Sequence, residues 1–208
     1  MLARSVFAAL LVAVLAAVSH RIFMQGVTAA LSFPQDNFFG RIALETMHKF
    51  NAPGMYHALS LLDLKEGETL LEMCTGPGLG LEEALKYKGV TVIGVDLSPY
   101  IVQLASERNA RAIEARRASV HTASVEDLSF LPSASVDKIF NMNCVYFWPQ
   151  LHTALQELLR VLKPQGRLLT ATKFAHVKLL QDDGSVFKNT NETLLLSALA
   201  DAGSLPKP

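Results

Sequence analysis

The stretch that most restricts this chain is Leu70-Leu71-Glu72-Met73-Cys74-Thr75-Gly76-Pro77-Gly78-Leu79-Gly80, an apolar strand-like run, then a glycine turn, then the start of a helical pattern. Glycine lets backbone approach a ligand closely, and the following helix N-terminus offers amides with no intrahelical partner. Such a turn alone is compatible with a dinucleotide, a nucleoside or no ligand. Its distance to an acid narrows the choice. The β-branched run at 90–95 ends in Asp96, about 20 residues past the turn, where a carboxylate accepts both hydroxyls of a ribose. Turn and acid together predict an adenosine-containing ligand.

Around this turn the pattern alternates. Strands are predicted at 69–74, 90–95, 119–122, 138–144 and 167–172, and helices at 79–87, 99–115, 151–162 and 193–202. Five strands joined by crossover helices predict an α/β, Rossmann-like, doubly wound and mainly parallel sheet. Ahead of it, residues 39–62 have helical spacing broken by Asn51, Pro53 and Gly54, which predicts two short helices with a turn. The expected division is a hydrophobic leader at 1–25, a helical segment at 26–67 and the main domain at 68–208.

The motifs then resemble one family, the class I S-adenosylmethionine-dependent methyltransferases. Glu72-Met73-Cys74-Thr75-Gly76-Pro77-Gly78 resembles their first motif and Gly94-Val95-Asp96-Leu97-Ser98 their second. Ser124-Val125-Glu126-Asp127-Leu128 is similar to the loop after their third strand, and Val136-Asp137-Lys138-Ile139-Phe140 to the start of their fourth. Leu158-Leu159-Arg160-Val161-Leu162-Lys163-Pro164-Gln165-Gly166-Arg167-Leu168 resembles their shared helix-turn-strand signature. The run Asn143-Cys144-Val145-Tyr146-Phe147-Trp148-Pro149 points to the small-molecule members similar to the quinone-biosynthesis methyltransferases.

The resemblance implies S-adenosyl-L-methionine as methyl donor and a small-molecule or lipid-like acceptor. It places Glu72, Cys74, Gly76, Gly78, Asp96, Leu97, Ser124, Val125 and Asn143 around the donor. Glu72 would accept from the amino group of the methionine moiety, or else order the turn. Gly76 and Gly78 would lie against the donor, or serve only a tight turn. Asp96 would hold the ribose, or cap a helix. Ser124 stands where relatives often have an acid for the adenine amino group, Val125 would offer its backbone, and Asn143 would stand near the transferred methyl or cap the next segment. Tyr146, Phe147 and Trp148 wall a substrate pocket or fill core. His57, His121 and His152 have no motif partner and read as surface or packed residues.

Two departures from the family stand out. Cys74 replaces the first glycine of the turn, adding a side chain where backbone must approach the donor. The sequence also stops at Ser204-Leu205-Pro206-Lys207-Pro208, so the family's last two strands are expected to be missing.

Composition removes other classes. Lys and Arg number 19 and Asp and Glu number 19, so no basic excess is available for a nucleic-acid backbone. Cys74 and Cys144 are far apart and have no partner at metal-ligand spacing, so neither a disulfide nor a metal site is expected. No Asp or Glu precedes Asp36, and Val6 to Val18 is wholly apolar. That segment is compatible with a membrane signal-anchor, a cleaved secretory signal ending near Ala17-Val18-Ser19, an organellar presequence or a buried helix. The anchor fits best with a cytosolic catalytic domain, where the methyl donor is made. Asn191-Glu192-Thr193 matches a glycosylation acceptor, although Thr190 or Asn191 more simply caps a helix.

Two rivals remain. A nicotinamide-dependent oxidoreductase wants glycines at the first, third and sixth places of the turn. Those places read Cys74, Gly76 and Leu79, or Gly76, Gly78 and Leu81, and neither set fits. A non-catalytic relative that keeps the fold for binding is the other rival.

Overall fold

The computed structural model describes residues 2–175, 177 and 187–202. Its centre is a five-stranded, wholly parallel sheet of β1 (Thr69–Met73), β2 (Thr91–Asp96), β3 (Ala118–Thr122), β4 (Val136–Met142) and β5 (Leu162–Ala171), in the order β3-β2-β1-β4-β5. The order reverses between β1 and β4, and ligands bind outside the carboxyl ends of strands at such a point. No strand beyond β5 is present among the described residues. The expected end at Ser204 to Pro208 lies outside them.

Both faces of the sheet are buried, and the strand period of two divides the apolar residues between them. Leu70, Val92 and Phe140 pack on one face with Leu59 and Leu62 from the end of α2 (Phe38–Leu61), and with Leu81 and Ala84 of α3 (Leu79–Ala84). Leu71, Met73, Val95 and Ile139 pack on the other with α6 (Leu151–Val161), whose Ala154, Leu155, Leu158 and Val161 recur at helical spacing.

Two predicted elements differ. The region 99–115 is two helices, α4 (Pro99–Arg108) and α5 (Ala110–Glu114), interrupted at Asn109. The buried Asn109 amide donates to the carbonyls of Gly78 and Ala105, at 3.1 and 2.9 Å, so the side chain that breaks the helix also braces the glycine turn. The two helices expected at 39–62 are instead one, α2, which runs through Pro53. Proline removes one helical N–H, and outside contacts compensate: Met55, Ala58 and Leu59 are buried beyond it, while Phe50 and Asn51 before it are bonded to the sheet end.

The first helix, α1 (Leu2–Ser32), continues past Gln25 and packs against α2. Val12–Ser32 is long and apolar enough to cross a membrane. Residues 12–25 are exposed, whereas Val27 and Ala30 are buried. Phe23, Phe38 and Phe39 cluster at this change, with ring centroids 5.4–6.4 Å apart. A final helix, α7 (Glu192–Asp201), is capped by Asn191, whose side chain accepts from the Thr193 amide at 2.9 Å.

Candidate active site

At the carboxyl ends of β1, β2 and β4 lies a cavity of about 800 Å³, within the roughly 300–1,000 Å³ usual for small-molecule sites. Six of the expected site residues line it: Cys74, Asp96, Leu97, Ser124, Val125 and Asn143. Glu72, Gly76 and Gly78 are not on its wall. They build the turn from behind.

The turn winds through left-handed backbone, with φ of +53° at Cys74, +53° at Gly76 and +81° at Gly78. At Gly78 a Cβ would meet Asn109 Nδ2 at 2.6 Å and Ala105 Cα at 3.0 Å, so glycine there is needed for close packing on α4. The Arg108 guanidinium donates to the Pro77 carbonyl at 2.8 Å. Glu72 is buried beneath the turn, accepts from the Thr75 hydroxyl at 3.1 Å and abuts Gly80. Burial pushes its carboxyl up to about 8, opposed by the Thr75 bond and assisted by the charge of Asp96.

Asp96 ends β2 directly across from the turn. Its oxygens accept from the Gly76 amide at 3.2 Å and the Ser98 amide at 3.1 Å. Burial raises the carboxyl to about 6, against the backbone bonds from Ser98, Gly76 and Leu97 that hold it down. Ser98 in turn donates from its hydroxyl to the Pro34 carbonyl, which ties the start of α4 to the α1–α2 connection.

The cysteines correct the expectation of no disulfide. Cys74 and Cys144 are bonded to each other, with Cα atoms 6.0 Å apart. Residues 70 apart in sequence meet because β1 and β4 are neighbours and each cysteine follows its strand. Cα separations of roughly 4.4–6.8 Å suit such a bond. The link joins the glycine turn to the segment 144–148, where Trp148 Nε1 donates to Cys144 Sγ at 3.0 Å.

Asn143 has φ +50°, a conformation asparagine tolerates. Its amide donates to Asn51 Oδ1 at 2.9 Å and its oxygen accepts from the Lys173 amide at 3.3 Å. Tyr146 and Trp148 are both buried and on the cavity wall, so pocket and core readings hold together for them. His121 stacks on Phe130 at 4.5 Å, and His152 bonds Gln156 at 3.0 Å, both away from this wall.

Sequence reasoning missed the far side of the cavity. Residues 31–34 with Thr46, Met47, Phe50 and Asn51 form part of it, and Lys173, Val177, Phe187 and Lys188 another. The helical spacing of Met47, Phe50 and Asn51 on α2 was the one available signal, and it does not say what the helix covers.

Residues 71–170 match the family model of a methyltransferase domain. YdaC of Bacillus subtilis (strain 168), an uncharacterized methyltransferase, is 28% identical over 110 residues, 52% of this chain and 58% of that protein. The ubiquinone biosynthesis O-methyltransferase of Xanthomonas oryzae pv. oryzae is 28% identical over 126 residues, 61% of this chain and 51% of the relative. The chain thus matches little more than half the length of these relatives. Among solved structures, a methyltransferase in complex with the Haloferax volcanii Trm112 methyltransferase activator superposes with a TM-score of 0.67 and 27% identity, covering 77% of this chain and 71% of that one.

Proposed function

Through residues 71–170 the chain belongs to the S-adenosylmethionine-dependent methyltransferases, and from that premise we propose that it methylates a small, lipid-like acceptor held in the cavity beside the glycine turn. The carrying observation is Asp96, fixed by two backbone amides at the switch point of the sheet and on the wall of the cavity. The residues present fit the donor. Asp96 would hold the ribose, the braced turn would face the methionine part, and Ser124 and Val125 would lie along the adenine. Bound there, the donor supplies a methyl group on a sulfonium, an already good leaving group.

The protein's own task is alignment and exclusion of water. Trp148 and Tyr146 close the wall, and the disulfide fixes their segment to the turn. Burial holds the Tyr146 phenol well above its ordinary range, which favours its protonated form. Asn143 orders the acceptor side by holding Asn51 and the Lys173 backbone in place. Calorimetry comparing S-adenosylhomocysteine with NADH tests the donor class. Binding of the first alone is expected, and binding of NADH alone overturns the reading.

The exposed apolar stretch of α1 supports a lipid-like acceptor, because the chain leads from it into the wall of the cavity at residues 31–34. A fusion of residues Met1 to Gln25 to a soluble reporter is expected to resist carbonate extraction. Release into the medium would favour a cleaved signal, and mitochondrial import a presequence. We place the domain on the cytosolic face, where the donor is made. One observation favours a second reading: disulfides persist chiefly in oxidising compartments, and the Cys74–Cys144 bond fits the opposite face. Protease protection of the domain in sealed microsomes separates the two.

A further inference from the structure

We propose that Lys173, together with Lys188, selects acceptors that carry an anionic group, so that the substrate is an acidic amphiphile. This deepens the reading of the cavity as the methyl-transfer site and rests on it. Four titratable groups lie on the wall besides the bonded Cys74: Asp96, Tyr146, Lys173 and Lys188. Asp96 is committed to the donor end. The remaining charge is positive and belongs to two solvent-exposed lysines at the other end, beside apolar residues such as Met47, Phe50, Phe147 and Phe187.

Lys173 is held in position. Its ammonium donates to the Phe50 carbonyl at 3.0 Å, beside the proline-containing turn of α2, and its amide donates to Asn143. An ammonium has three donors, and this bond uses one of them. Five of the six other described lysines differ, and the sixth, Lys49, lies over the Phe50 ring. Lys65, Lys86, Lys88, Lys138 and Lys163 each pair with a carboxylate within 3.4 Å. Among the described residues no carboxylate lies within 4.0 Å of Lys173 or Lys188. Among the described residues these two lysines on the cavity lining have no acidic partner, which lets them meet a charge that arrives with the ligand. Lys188 is in turn anchored through its backbone, which donates to the Tyr146 carbonyl at 2.7 Å.

A carboxylate and a phosphate share this chemistry, and matched ten-carbon probes separate them. Trp148 is the chain's single tryptophan and lies on the cavity wall, so its fluorescence reports occupancy. The full chain, in nanodiscs of phosphatidylcholine, is titrated with decanoate, decyl phosphate, decanol and decyltrimethylammonium. One or both anions are expected to bind about tenfold more tightly than decanol, and K173Q/K188Q to remove that preference while leaving decanol binding alone. The anion preference should also shrink in high salt. Equal affinity for all four probes, or a preference that survives in K173Q/K188Q, overturns the proposal. S-adenosylhomocysteine affinity is measured on both proteins. If it is intact while the anion preference is missing, this inference fails alone; if neither protein binds it, the reading of the site fails too.

Discussion

The two ends of the cavity are built differently. The donor end is made where strands stop: the turn after β1, Asp96 at the end of β2, and Ser124 and Val125 after β3, all within one run of sequence. The acceptor end joins α1, α2, the segment after β4 and the segment after β5, which meet only in the folded chain. Bonds that span 20 to 31 residues fix the first, and bonds that span 92 and 123 residues fix the second. The donor end should therefore tolerate changes at the acceptor end, and the Cys74–Cys144 bond is the place where they are joined.

Cutting that link should have the largest effect. A disulfide closing a loop of this length stabilises by about 2–4 kcal/mol, mainly through the unfolded chain, whereas glycine at a left-handed position such as Cys74 recovers about 0.4–1 kcal/mol. Cys74→Gly is therefore expected to be less stable than the parent in oxidising buffer and slightly more stable in dithiothreitol, measured by urea unfolding. S-adenosylhomocysteine affinity should rise in the variant, since a side chain leaves the donor wall. Identical unfolding of the parent with and without reductant would mean that the ends are not covalently joined.

Next comes the donor end alone. Hydrogen bonds to charged groups contribute roughly 1.5–3 kcal/mol, so Asp96→Ala should weaken S-adenosylhomocysteine by about 10- to 100-fold in calorimetry with an unchanged circular dichroism spectrum. Unchanged affinity would remove Asp96 from the ribose.

A smaller effect follows from titration. Ribose hydroxyls donate to an ionised Asp96, whose folded pKa is raised to about 6. Affinity should thus fall as pH drops through 6, by about tenfold from pH 7.5 to pH 5, and Asp96→Asn should flatten the profile. Stability of the ligand-free protein runs the other way. Glu72 and Asp96 keep protons in the fold that the unfolded chain has released, so stability is fully present below pH 4 and is lost as pH rises toward 8. Glu72→Gln should blunt the thermal destabilisation above pH 6.

The same contrast explains what the sequence disclosed. The five strands follow from short apolar runs whose period is local, and Asp96 follows from its distance to the turn. Glu72, Gly76 and Gly78 were found for the right turn, but their place behind the wall depends on Asn109 and Gly80, which spacing alone does not relate to them. The disulfide was illegible because strand order, not sequence distance, brings 74 to 144. Pro53 read as a break because the bonds that carry α2 through it come from residues 92 and 123 positions away. Lys173 carried no signal at all, being one lysine at a strand end.

The finest test of the division is Asn143, an expected donor residue whose side chain is hydrogen-bonded to the other end. Asn143→Gly keeps the positive φ without strain and deletes only the bonds to Asn51 and the Lys173 amide. Two partly buried bonds at about 0.5–1.5 kcal/mol each are partly offset by the relieved backbone, so the loss of stability should be about 1 kcal/mol. S-adenosylhomocysteine affinity should stay within about twofold, because Asp96 and the turn keep every bond they have. Decanoate, followed through Trp148, should bind about threefold more weakly, because Lys173 loses one of the two contacts that place it. Donor affinity falling in step with decanoate would mean that Asn143 touches both ends, and the boundary between them would then lie closer to the acceptor side than the hydrogen bonds indicate.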